Sequence, residues 1–296
     1  MESRSIHTLC SLLGYSRQAY YQYQQHQEKE ALQVDLLLQQ VILIRSKQKR
    51  LGTRKLLVMM QHFMQEHHIQ LGRDRLFDLL REKALLVRRR RPKKPITTFS
   101  NHWMQKYDNL IVDFIPTSPN QVCVSDLTYI SLSMGFAYLS LITDAYSHKI
   151  IGFCLSATLS ADGCIQALEM AIASAKGQIL IHHSDRGTQY CCLEYVALLT
   201  KHKVSISMTQ SGDPRENALA ERVNGILKEE LLEEIYLSLD AASKAVAVAV
   251  GIYNQERPHS SIDMLTPSEA HSRKGELKKH WKSYYHPKYE KDMEIL

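Results

Sequence analysis

Three acidic residues stand where they could do chemistry: Asp126 in "VCVSDLT", Asp185 in "HHSDRGTQY" and Glu221 in "DPRENALAERVNGILKEE". Converging carboxylates are the oxygen donors that hard divalent cations take. In the β-rich run around Asp126, alternation puts Val122, Val124, Asp126 and Thr128 on one face. A carboxylate beside valines is costly without a cation or a hydrogen-bond partner. Asp185 follows the apolar run Gln178 to Ile181, which reads as a short buried strand, and the fourth strand is read over "QILIHHSD", residues 178–185. If the two strands are neighbours, both acids approach one edge of the sheet. A plain surface turn carrying an Asp and a Gly fits residues 182–190 equally well.

Glu221 lies on a predicted helix with a strong start signal. Asp213 is a good N-cap, Pro214 suits the first helical position, and Glu216 completes a capping box. Leu219, Val223, Ile226 and Leu227 form the packing face. Asn217, Glu221, Asn224 and Lys228 form a polar stripe at helical spacing. A solvated helix face gives the same pattern. Lys228 is two turns beyond Glu221, about 10 Å along the axis, too far to share an ion with it. His182, His183, Cys191 and Cys192 form adjacent pairs, a poor zinc spacing.

The elements around these residues divide the 296-residue chain. The first ninety residues read as helical, with "EALQVDLLLQQVILIRS", "TRKLLVMMQHFMQEH" and "GRDRLFDLLREKALL" apolar at helical spacing. The last two, joined by a short Gly-containing turn, fit a helix-turn-helix, or else a plain helical bundle. Arg73 and Arg75 would start its recognition helix. "RRRRPKK", six basic residues in seven, follows at 88–94. It is a solvated linker or a phosphate-neutralising patch formed by Arg88, Arg89, Arg90, Arg91, Lys93 and Lys94. Four prolines between 92 and 119 mark a linker. Three strands in a meander, a helix, a strand, a helix and a fifth strand then predict an α/β domain with a mixed sheet. The boundaries are 1–50 for the N-terminal helices, 51–91 for the helix-turn-helix-like region, 92–118 for the linker, 119–275 for the α/β domain and 276–296 for a basic aromatic tail.

Composition excludes some classes. The chain is 44% hydrophobic and 23% charged with net charge +6, ordinary for a globular protein with a mild bias towards a polyanionic partner. No apolar run approaches ~18 residues, so no membrane partner is expected. The N-terminus carries no secretory pattern, and six cysteines without a paired framework suit a reducing compartment.

"VSDLTYI", "HHSDRGTQY", "DPRENALAERVNGILKEE" and "YNQERPHSSIDMLTPSEA" resemble the successive motifs of the integrase-type DDE transposases, with 35 residues between Asp185 and Glu221. More narrowly, the chain resembles the second-frame (OrfB) transposase of the third family of bacterial insertion sequences, and the likeness runs through most of its length. The resemblance implies an RNase H-like catalytic domain. It places the catalytic and metal-holding triad on Asp126, Asp185 and Glu221, served by two Mg²⁺ or Mn²⁺ ions. Lys228 matches a basic residue that such integrases carry two turns after the glutamate, and Lys228 and Asn217 are candidate DNA contacts. Tyr253, Asn254, Arg257, Pro258 and His259 match a further family motif and read mainly as packing that braces the helix of Glu221.

The implied partners are the terminal inverted repeats of a transposon, target DNA, further copies of the chain on DNA, and an upstream-frame helix-turn-helix protein or fusion. The implied place is a bacterial cytoplasm, on the nucleoid. Cys123 departs from the family, which often has Trp there. The retroviral amino-terminal zinc set and the family's separate first-frame helix-turn-helix are not in this sequence. A non-catalytic DNA-binding protein of the same fold and an RNase H-type nuclease without strand joining are the rival readings.

Overall fold

A computed structural model of the chain describes residues 6–87, 102–210 and 214–280. It divides into two compact units, Met1–Leu86 and Val87–Leu296. Arg88 to Arg91, Lys93, Lys94, Asp213 and residues 281–296 of the tail lie outside the described residues.

The first unit is helical: α1 (Ile6–Leu12), α2 (Arg17–Lys47), α3 (Thr53–Met59), α4 (Gln61–Glu66) and α5 (Arg73–Glu82). Ser16 caps α2 by accepting the Ala19 N–H at 3.0 Å. The stretch expected as one helix from 53 to 67 breaks at Met60, and Met60 and Met64 still turn inward. Leu37 and Val41 of α2 share one core with Leu51, Leu56, Met60, Leu76 and Leu80. The two stretches that the sequence divides at residue 50 therefore fold around common apolar side chains. Arg45 locks them together, donating to the carbonyls of Leu85 and Leu51. Among the described residues, no helix is long and apolar enough to cross a membrane.

The second unit is built on a five-stranded sheet. Its elements are β1 (Val122–Leu132), β2 (Gly135–Asp144), β3 (Ile150–Ser156), α6 (Ala161–Ser174), β4 (Ile181–Ser184), α7 (Thr188–Cys191), α8 (Leu193–Lys201), β5 (Ser205–Met208), α9 (Ala218–Ile226), α10 (Leu239–Gln255) and α11 (Pro267–Ala270). The sheet order is β3-β2-β1-β4-β5. The first three strands pair antiparallel as a meander, and β4 and β5 run parallel to β1.

Helices cover both faces, so β1 is buried from Val122 to Ser125 without alternation. On one face α6 and α8 pack Ala167, Leu168, Ala171 and Leu199 against Cys123 and Ile142. On the other, α9 and α10 pack Val223, Ile226, Val246 and Tyr253 against Ile130, Leu139 and Leu141. Gly152 lets α6 approach β3: a Cβ there would lie 2.1 Å from the Ala167 carbonyl oxygen.

Three expectations are sharpened here. The fourth strand, read from the sequence over 178–185, is Ile181–Ser184, and Leu180 before it is exposed. The helix of Glu221 is entered through a 3₁₀ turn over Pro214–Asn217, α9 itself starts at Ala218, and Glu216 accepts the Gln210 N–H. The capping box read from Asp213 falls on a residue outside the described ones. Finally, the described part of the 92–118 stretch is a docked strap: Met104 and Tyr107 pack on the core, and Asp108 accepts the Met208 N–H of β5.

Candidate active site

The parallel register between β1 and β4 brings the first two acids together. Val122 pairs with Ile181 and Val124 with His183, so Asp126 and Asp185, each two residues further on, come level on adjacent strands. Asp126 lies within β1, opposite Leu141 of β2. Asp185 is just past β4, and its Oδ1 accepts the Gly187 N–H at 3.0 Å. A Cβ at 187 would also sit 3.0 Å from that oxygen, which is why glycine turns the chain here.

Glu221 arrives from α9, which crosses the sheet face beside β1. Asn224, one turn on, donates from Nδ2 to Asp126 Oδ2 at 2.7 Å. Asn217, at the start of the helix, donates to the Ser125 carbonyl at 2.8 Å. Lys228 Nζ reaches Thr128 Oγ1 at 3.2 Å and lies 3.9 Å over the Tyr129 ring. Asn217, Asn224 and Lys228 are therefore turned to β1, and Glu221, exposed between them, adds its charge to the field at Asp126. Asn224 was legible only as part of the polar stripe; nothing in its spacing singled it out as the partner of Asp126.

Burial, then the charge of Asp185, pushes the Asp126 carboxyl up to about 7, with Glu221 adding to the rise and Asn224 and the Leu127 N–H opposing it. Burial pulls Lys228 below its ordinary range, against the attraction of Asp126. Asp126 thus feels both other acids, although among the described residues no three acid, His or Cys side chains close into a metal-holding group. All-carboxylate donors with one buried, proton-holding member suit a hard divalent cation, whose charge would relieve their repulsion.

Two buried histidines brace the site. His182 Nε2 lies 2.6 Å from Ser125 Oγ and 2.9 Å from Tyr195 Oη, and burial lowers the ring to about 3, so it stays neutral. His183 spans from Ser207 Oγ at 2.8 Å to the Glu216 carbonyl at 3.1 Å, pinning the approach to α9 against β4 and β5. His102 of the strap meets the Arg186 carbonyl at 2.8 Å. In the first unit, Arg73 pairs with Asp74, and Arg75 with Glu30 and Glu82; these are exposed pairs that water screens.

The sheet order, the strand directions and the acids at the β1 and β4 positions define an RNase H-like domain of the integrase type. The integrase core domain family matches residues 116–214, and a second integrase core domain family matches 202–267. An insertion element IS600 uncharacterized 31 kDa protein of Shigella sonnei is 35% identical over 267 residues, covering 88% of this chain and 96% of that protein. Transposase InsF for insertion sequence IS3A of Escherichia coli K12 is 31% identical over 194 residues, 64% of this chain and 67% of that one. The HTLV-2 integrase catalytic core domain, solved in complex with magnesium, covers 53% of this chain and 99% of its own at 20% identity and a TM-score of 0.43, a loose likeness. The chain belongs to the integrase-core transposases of bacterial insertion sequences, and its function is transposition of an insertion element. DNA is the partner that the family implies, polynucleotidyl transfer its reaction class, and divalent metal its usual cofactor.

Proposed function

We propose that the chain cleaves DNA at the ends of its insertion element and joins the freed strand to a target, with Asp126, Asp185 and Glu221 as the catalytic acids. The observation that carries this reading is the register: Asp126 and Asp185 come level on adjacent strands, and Asp126 is raised to about 7 by burial, Asp185 and Glu221. In this reading Asp126, Asp185 and Glu221 would together hold two Mg²⁺ or Mn²⁺ ions. When bound, such a pair supplies Lewis-acid activation of the attacking oxygen and stabilisation of the departing 3′-oxygen.

The chain's own side chains do the rest. Asn224 fixes the rotamer of Asp126, and the Gly187 N–H fixes that of Asp185. The Asp126 carboxyl, raised to about 7, would be ready to hold a divalent cation once pH rises through that value and the proton leaves. Lys228, anchored on Thr128 and Tyr129, offers a point charge to a backbone phosphate, giving positioning with little base discrimination. Asn217 acts from the same face but is already engaged with β1, which favours a supporting role.

The helix-turn-helix-like region 51–91 reads the terminal inverted repeats, with Arg73 and Arg75 at the start of α5. The basic run from Arg88 to Lys94 neutralises backbone phosphates of the bound DNA, and residues 119–275 form the catalytic domain. Copies of the chain assemble on paired ends, alone or with an upstream-frame helix-turn-helix protein, in the bacterial cytoplasm. Incubation of the protein with labelled element ends, target DNA and Mg²⁺ tests the proposal. Joined product supports it, cutting without joining points to a nuclease, and binding without either points to a non-catalytic DNA-binding protein.

A further inference from the structure

After α9 the helix widens over Leu227–Leu231, a π turn closed by the Leu232 N–H on the Leu227 carbonyl at 2.8 Å. Such turns are rare and occur often at functional sites, and their looser winding needs support. Arg257, fully buried just beyond α10, grips this turn. Its Nη2 donates to Glu230 Oε1 at 2.8 Å and to Oε2 at 2.9 Å, and its Nε donates to Oε2 at 3.0 Å. Its Nη1 meets the His259 ring at 3.0 Å, and that ring packs edge-on to Tyr253 at 4.8 Å. Asn254 fastens the same segment to the sheet, accepting the Ile150 N–H at 3.0 Å and donating to the Ile150 carbonyl at 2.9 Å. The segment that carries Arg257 is thus tied to β3 through Asn254, and its guanidinium holds Glu230. Lys228, two residues before Glu230 in the same turn, is laid across Thr128 and Tyr129.

We infer that Arg257 is a positioning residue: its fork on Glu230 sets the winding of the π turn and so aims Lys228 along β1 beside Asp126. The inference rests on the reading of Lys228 as a phosphate contact. A planar fork fixes both carboxylate oxygens, which an ammonium does not, so geometry rather than charge is what Arg257 supplies. The competing account is a buried ion pair with a packing role alone, and such pairs often exchange for apolar residues without loss of fold.

That exchange is the test. Arg257→Met combined with Glu230→Leu keeps the volume and removes the fork, and Arg257→Lys keeps the charge alone. In each full-length variant, checked for folding by circular dichroism, the acylation rate of Lys228 by an amine reagent is read by mass spectrometry, with exposed Lys244 as internal reference. Joining of labelled ends is measured beside it. Lys228 should be acylated several-fold faster in both variants. Joining should fall to the level of Lys228→Ala, and adding Lys228→Ala to the pair should lower it no further. A folded pair with parental Lys228 acylation and parental joining overturns the inference. If the pair does not fold, Arg257→Lys decides the matter by the same two readouts. Should Lys228→Ala itself join ends normally, the DNA role of Lys228 falls, while the acylation rate still decides whether Arg257 positions it.

Discussion

A carboxyl that titrates near neutrality in the folded chain makes the fold itself pH-dependent. Asp126 is raised from 3.8 to about 7, so between those values the folded state holds a proton that the unfolded state releases. Its contribution to stability is full below about 4 and is lost as pH rises to about 7, by up to about 1.4 kcal/mol per pH unit. Asp126→Asn should therefore raise the melting temperature of metal-free protein at pH 8 and change it much less at pH 5; thermal unfolding in chelator checks this, and an equal shift at both pH values counts against it. Lys228 gives a second residue-scale expectation. Lys228→Ala should slow end joining through misplaced ends, Lys228→Arg should keep part of the rate, and calorimetric metal affinity without DNA should hardly move. The polar stripe on α9 was visible in the spacing of Asn217, Glu221, Asn224 and Lys228. Which member meets which atom of β1 was not, because helical periodicity assigns a face and not a partner.

At the scale of elements, the strands of the meander were legible because their apolar and turn residues follow local rules. β4 was legible within residues 178–185 but starts three residues later than its apolar run. What the sequence did not show is that His182 and His183 are both buried, satisfied by Ser125, Tyr195, Ser207 and the Glu216 carbonyl from other elements. α9 starts later than the spacing suggests, because Pro214–Asn217 wind as a 3₁₀ turn while Glu216 accepts the Gln210 N–H. By contrast, the capping box at Thr266 is wholly local, with Thr266 and Glu269 bonded reciprocally within "TPSE". Packing between elements yields its own expectation. Gly152→Ala would press a Cβ against the Ala167 carbonyl and force α6 off β3. It should cost at least about 2 kcal/mol, seen as a lower denaturant midpoint with an unchanged slope.

On the scale of the whole molecule, charge and chemistry are divided along the chain. The acids are gathered in the second unit, while the basic run from Arg88 to Lys94 lies at the start of that unit, next to its boundary with the helical one. Changing Arg88, Arg89, Arg90 and Arg91 to Gln should weaken binding to all DNA sequences and flatten the salt dependence, by roughly 0.9 in slope per lost phosphate contact. An unchanged slope would make the run a solvated spacer. Joining and binding should then separate by unit, since the acids act on phosphodiesters that other residues hold. The direct test is joining of a labelled element end in Mg²⁺ by Asp126→Asn, Asp185→Asn and Glu221→Gln, with end affinity measured by gel shift in parallel. Each variant should bind ends nearly as the parent does and join none; a Glu221→Gln protein that joins ends at the parental rate would remove Glu221 from the site and break the account of three acids acting as one.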